Sequence, residues 1–124
     1  MILLTLQAYA LFLSFEFVIV RHNFAKLRRR VRNEPTRHRP VNAGACARVC
    51  HAVDRACAFY FKQVQCLQRS AVTVCLLRRL GFAAELVIGA KHLPFRAHAW
   101  VEVEGIVVGD KVGVTETYAV LDRC

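Results

Sequence analysis

The sequence predicts an α+β fold, with N-terminal helices followed by a small antiparallel sheet. Three observations carry the prediction. Apolar residues recur at helical spacing through the first half of the chain. A run of good helix formers opens at Cys66 and ends at Gly81. Beyond it, β-rich stretches flank Glu104-Gly105, a pair suited to a tight hairpin turn. Helices first and antiparallel strands after is the α+β order. The chain has 124 residues, 56% of them hydrophobic, with six Gly and three Pro. That is enough for one hydrophobic core, and it excludes disordered and collagen-like chains.

The first element covers residues 1–20, an almost wholly apolar segment that raises the mean hydropathy to +0.32. No basic stretch precedes it, so it does not read as a secretory signal. About 20 apolar residues would span a bilayer, with Arg28-Arg29-Arg30 then marking the cytoplasmic side. Thr5, Gln7, Ser14 and above all Glu16 oppose that reading. An acidic group near mid-membrane costs roughly 2.5 kcal/mol or more. Periodicity opposes it further. Leu6, Ala10, Leu13, Phe17, Val20, Phe24, Leu27 and Val31 advance by alternating four and three residues, and the register runs unbroken into the basic segment. The expectation is one long amphipathic helix over residues 1–34, buried against protein, with no membrane association. It should stop at Asn33-Glu34-Pro35, because proline disfavours helical geometry in the residue before it. Residues 33–42, with Pro35 and Pro40, read as a linker.

Charge is equally uneven. The chain carries 18 Lys and Arg against nine Asp and Glu, a net charge of +9. Eight of those 18 cations lie between Arg21 and Arg39, opposed only by Glu34. The balance first suggests an anionic partner. A solvated helix face and loop explain this cluster better than a nucleic-acid site, so no nucleic-acid partner is expected.

A second helix is expected from Ala43 to about Phe61, with Cys46, Cys50, Val53 and Cys57 on one face. Two readings follow. Cys46, Cys50, His51 and Cys57 offer zinc ligands, but without the usual spacing of two residues between paired cysteines. The preferred reading takes the cysteines as small core residues, with no metal. Six cysteines without an export signal also point to a reducing compartment.

The second half of the chain carries the chemistry. A third helix runs from Cys66 through Leu80, with Gly81 placed for a left-handed cap. Residues 84–88 read as one strand and residues 97–103 as a second, which turns at Glu104-Gly105 and returns as Ile106-Val107-Val108. On this frame Cys66 sits at a helix N-terminus, where backbone N–H groups and the helix dipole favour a thiolate. His98 lies on one strand and Asp110 at the end of its hairpin neighbour, so the two can come side by side. Together these are the parts of a nucleophile–base–orienter triad. Each also has a plain structural explanation: Cys66 as core, His98 as a satisfied strand histidine, Asp110 as a turn residue.

Five blocks occur in order. They are Cys66-Leu67-x-Arg69-Ser70, Leu76-Leu77-Arg78-Arg79-x-Gly81, Leu86-Val87-Ile88-Gly89, Pro94-Phe95-x-Ala97-His98-Ala99-Trp100-Val101-Glu102 and Gly105-x-Val107-Val108-x-Asp110. In this combination the chain resembles the transglutaminase-like peptidases of lasso-peptide biosynthesis, the family of the microcin-processing leader peptidase. The resemblance covers about residues 43–112. It implies a transglutaminase-like or papain-like fold, with a peptidase core over residues 43–124 and the whole chain forming a single domain.

The resemblance also implies a cysteine endopeptidase that removes the leader from a ribosomally made precursor peptide. Cys66 would be the nucleophile, His98 the general base and acid, and Asp110 the orienter. By position in the strand, Trp100, two residues beyond His98, shapes the cleft or serves equally as a core aromatic, and Phe95 and Arg96, from the loop before His98, are placed to line a substrate groove. Arg69 is placed to bind a carboxylate or brace the fold, and Ser70 to pack. The chain has no room for the leader-recognition domain that some relatives carry, so the resemblance is to the split type. The implied partners are the precursor leader, a separate leader-binding protein and the ATP-using lasso cyclase, all in the cytoplasm. ATP has been linked to leader removal in such systems, but this sequence has no phosphate-binding Gly-rich loop and no cofactor is expected. The alternative is a non-catalytic scaffold of the same fold that binds a peptide or protein.

Overall fold

Four helices lead into the sheet: α1 (Ile2–Val20), α2 (Phe24–Asn33), α3 (Ala43–Phe59) and α4 (Cys66–Arg79). After them come β1 (Ala84–Lys91), β2 (Arg96–Val103), β3 (Ile106–Val108), the short α5 (Val114–Thr117) and β4 (Ala119–Arg123). The computed structural model describes residues 2–20, 24–35, 40, 42–61, 64–91, 95–110 and 114–124. Arg21, the linker residues 36–39 and the loop residues 92–94 lie outside the described residues, as do the side chains of Phe17, Val20 and Phe24.

The expected single helix over residues 1–34 is replaced by two helices that change direction. The Arg30 guanidinium stacks over the Phe15 ring at 4.2 Å from its centroid. In one straight helix those residues would stand about 22 Å apart along the axis. The expected stripe also fails in α1. Leu6 and Leu13 are exposed, while Ala8, Leu11, Phe12 and Phe15 are buried. Because α1 is apolar on nearly every side, periodicity alone could not choose its inner face. In α2, where apolar residues are few among cations, Leu27 and Val31 are buried as expected. Among the described residues no helix is long and apolar enough to cross a membrane.

Glu16, the acidic residue that argued against a membrane span, is used inside the protein. Its carboxylate accepts hydrogen bonds from the Tyr60 hydroxyl at 3.0 Å and the Gln68 amide at 3.2 Å. The Gln68 amide also donates to the Phe12 carbonyl at 3.1 Å. These bonds join α1 to the end of α3 and the first turns of α4. Burial and the adjacent carboxylate push the Tyr60 phenol up to about 12.

The helix ends follow local chemistry. The Asn42 side chain caps α3 by accepting from the Ala45 N–H at 3.1 Å. At the end of α4, Gly81 adopts φ +98°, a left-handed conformation. The Gly81 N–H bonds the Arg78 carbonyl and the Phe82 N–H bonds the Leu77 carbonyl, the paired bonds of a Schellman cap. Arg78 is buried and donates to the carbonyls of Ala84 and Val31, which ties α4 to β1 and α2.

The sheet has the order β3-β2-β1-β4, with every pair antiparallel. The β2–β3 turn has Glu104 at φ +50° and Gly105 at φ +79°, the two positive angles of a type I′ hairpin. Leu86, Ala99, Val101 and Val103 belong to one core cluster with the buried residues of α1, α2, α3 and α4. The other face carries a smaller cluster of Val87, Trp100 and Val114, with Val107 and Tyr118 against it. β1 runs three residues beyond its expected end, and α5 and β4 were not anticipated. Strand β4 adds to the free side of β1, and Arg28 of α2 bonds Asp122 on it at 2.8 Å. Part of the basic segment therefore serves the fold.

Candidate active site

The site is built where α4 begins against an open strand edge. Strand β3 pairs only with Val101, Glu102 and Val103 of β2, so the earlier part of that edge has no strand partner among the described residues. Ser70 fills part of the gap. Its buried hydroxyl donates to the Ala99 carbonyl at 3.1 Å. Ser70 lies one helical turn after Cys66, on the same face of α4. The bond therefore brings the first turn of α4 alongside His98.

Cys66 is the first residue of α4, preceded by Gln65 in an extended conformation. Among the six cysteines Cys66 is exposed, while the others are buried or half-buried. Burial pushes the thiols of Cys46, Cys57 and Cys124 up, and those of Cys50 and Cys75 up to about 11. Those five stay protonated at neutral pH. At the start of α4 the Cys66 N–H is among the donors that a helix's first turn leaves without an intrahelical acceptor.

His98 Nε2 lies 2.6 Å from Asp110 Oδ2. A neutral imidazole that donates Nε2–H to this carboxylate keeps its lone pair on Nδ1. Asp110 follows Gly109, whose φ of +72° turns the chain beyond β3. A Cβ on Gly109 would also stand 2.9 Å from Cys50 Sγ, so glycine is required there twice over. Cys66, His98 and Asp110 line one cavity of about 230 Å³, together with Arg69, Ser70 and Trp100. An exposed thiol at a helix N-terminus and a histidine held by a carboxylate thus share one small polar cleft.

A family model described as the transglutaminase-like superfamily matches residues 9–123. The chain belongs to the transglutaminase-like superfamily. Comparisons with curated proteins and with solved structures give no match. The matched region extends beyond the expected residues 43–112 to take in most of α1 and all of β4.

Among the residues expected to meet substrate, Trp100 lines the cavity and is buried, with its ring centroid 6.1 Å from that of His98 and nearly parallel to it. Its Nε1–H donates to the buried Glu102 carboxylate at 2.8 Å, and Arg123 of β4 donates to the same carboxylate at 2.9 Å. Phe95 and Arg96 do not line this cavity and stand exposed at the start of β2. Arg69 lines it and forms an ion pair with Asp54 of α3, which braces α4 against α3. Among the described residues no group of three or more His, Cys, Asp or Glu is placed to hold a metal ion.

Three contributors were not expected at the site from the sequence. Tyr118 places its ring 5.3 Å from that of His98, from a segment whose role depends on β4 joining the sheet. Gly89 sits opposite His98 in the sheet register, where a Cβ would come within 2.7 Å of the Trp100 ring and 2.9 Å of Tyr118 Cβ. Cys50 reaches the cleft from α3. Only the assembled sheet and helices bring these residues near His98.

Proposed function

We propose that this chain is a cysteine endopeptidase that removes the leader from a ribosomally made lasso-peptide precursor in the cytoplasm. The observation that carries the chemistry is the 2.6 Å His98–Asp110 contact in the same cavity as the exposed Cys66. The sequence blocks around Cys66 and His98 supply the substrate class.

In this reading Asp110 accepts the Nε2–H of His98 and fixes the tautomer, so that Nδ1 takes the proton of Cys66. The thiolate attacks the scissile carbonyl to give a tetrahedral oxyanion, for which the Cys66 N–H is a donor. The intermediate collapses as the C–N bond breaks, and His98 passes the proton to the departing amine. Water, deprotonated by His98, then hydrolyses the thioester and restores the free thiol. A separate leader-binding protein presents the precursor, and the lasso cyclase uses the N-terminus that cleavage frees. No cofactor enters these steps.

The test is leader cleavage, measured by mass spectrometry with precursor and leader-binding protein present. Cys66→Ala should abolish it, while Cys46→Ala or Cys57→Ala should change stability and leave cleavage in the folded fraction. Undiminished cleavage by Cys66→Ala would refute the proposal. Iodoacetamide near neutral pH should label Cys66 selectively in the native protein, as a buried scaffold cysteine would not.

A further inference from the structure

A second depression of about 490 Å³ lies between α3 and β3. Its walls are small or apolar: Ala43, Cys46 and Ala47 on α3, and Ile106, Val107 and Val108 on β3. Such a volume falls within the roughly 300–1,000 Å³ common to ligand sites. Ile106 is 58% exposed at its edge. The polar residues at its margin are His51 and Asp54, and the Asp54 charge is already met by Arg69.

This groove continues directly into the Cys66 cleft. Cys50, Val108 and Gly109 line both. The saddle between them is made from a glycine and a thiol so close that a Cβ on Gly109 would meet Cys50 Sγ at 2.9 Å. It is also uncharged, since burial, followed by the neighbouring Asp54 charge, pushes the Cys50 thiol up to about 11. A peptide held at Cys66 can therefore lay a nearby side chain across the saddle without displacing a charged group.

We infer that the α3–β3 groove is a specificity subsite, which takes a large apolar side chain of the peptide lying a few residues from the bond presented to Cys66. The inference rests on the reading of the Cys66 cleft as a peptide site. The occupant follows from the continuity of groove and cleft, and from walls that offer an aliphatic or aromatic side chain burial, with the polar groups of His51 and Asp54 at the margin.

Disulfide tethering tests this without relying on turnover. The dipeptide amides Cys-Leu, Cys-Phe, Cys-Glu and Cys-Gly are each linked through the thiol of their cysteine, as a disulfide, to cysteamine. In exchange, the Cys66 thiolate forms one S–S bond to the peptide thiol as the original S–S bond breaks, and cysteamine leaves as the thiol. Equilibration with graded 2-mercaptoethanol, with Cys66 conjugates quantified on tryptic peptides by mass spectrometry, ranks the side chains. Leucine and phenylalanine conjugates should withstand about tenfold more reductant than the glycine conjugate, as expected for partial burial of one such side chain. Glutamate should give no advantage. Ala47→Trp, which fills the groove from an exposed position, and Ile106→Glu, which places a charge at its edge, should each collapse the difference between leucine and glycine. Equal ranking of all four peptides, or an advantage that persists in both variants, would overturn the inference. Loss of the peptidase reading would appear separately, as cleavage by Cys66→Ala, and would leave the tethering result standing.

Discussion

Ser70 donates its hydroxyl proton to the Ala99 carbonyl at 3.1 Å, and this bond joins the helix that opens with Cys66 to the strand that carries His98. Two groups 32 positions apart in the chain are thereby set beside one cleft. In Ser70→Ala the buried carbonyl loses its partner at a strand edge that no other strand covers among the described residues. The expected cost is about 1–3 kcal/mol in urea unfolding. Cleavage should lose about tenfold in kcat with little change in KM, because the bond sets the placement of Cys66 rather than the affinity for peptide. Wild-type kcat in a destabilised Ser70→Ala protein would show that the bond serves stability alone.

Asp110 holds His98 through Nε2, so its replacement by asparagine tests the tautomer. The asparagine would keep the size of the side chain but could present its amide NH₂ to Nε2, which favours the Nδ1–H form and removes the base. Asp110→Asn should lower turnover by about 10²–10⁴-fold, with thermal unfolding close to that of wild type. Turnover within about twofold of wild type would exclude Asp110 from the proposed mechanism.

Gly89 is constrained by its neighbours rather than by its own backbone. In Gly89→Ala the new methyl would strike the Trp100 ring and Tyr118 Cβ at distances below 3 Å. Both lie against His98. The substitution should cost about 1–3 kcal/mol, as overpacking in a fitted site does. Trp100 is the single tryptophan, so its fluorescence reports the displacement directly. An unchanged emission spectrum together with unchanged stability would mean that the sheet accommodates the methyl.

Alkaline pH should weaken the fold. In the native protein Cys50 and Cys75 are pushed up to about 11 from 9.0, and Tyr60 to about 12 from 10.0, in each case chiefly by burial. Between the unfolded and folded values the native state holds protons that the unfolded chain releases. Stability is therefore fully present below about pH 9 and is lost as pH rises through 11 and 12. Urea midpoints measured under reducing conditions at about pH 8, ~9.5 and ~10.5 should fall in that order, and Cys75→Ala should flatten the decline. A flat profile in wild type would show that these groups ionise without unfolding cost.

Several elements were legible because their causes are local. The left-handed cap at Gly81 follows from a glycine at the end of a helix-forming run, and the Glu104-Gly105 turn from a glycine between β-rich stretches, the hairpin carrying Glu104 to φ +50° as well. The start of α4 at Cys66, the strand containing His98 and the hairpin that leads to Asp110 came from the same short-range patterns, and so the candidate triad was visible before any packing was known. The inner face of α1 was not visible. Leu6, Ala10 and Leu13 fit a helical stripe as well as Ala8, Leu11 and Phe15 do, and packing buried the second set.

By itself, the sequence determined the bounds of α4, β2 and β3 and the start of α3, and which side chains are chemically equipped to act. Those properties depend on neighbours a few residues away. Tertiary structure alone decided that α2 lies against α1 with Arg30 over Phe15, and that β4 joins β1. It also decided that Tyr118, Gly89 and Cys50, from three different elements or loops, lie around His98. The physical reason is that such contacts are chosen by the shape left when whole faces are buried together. No local pattern of residues encodes that shape.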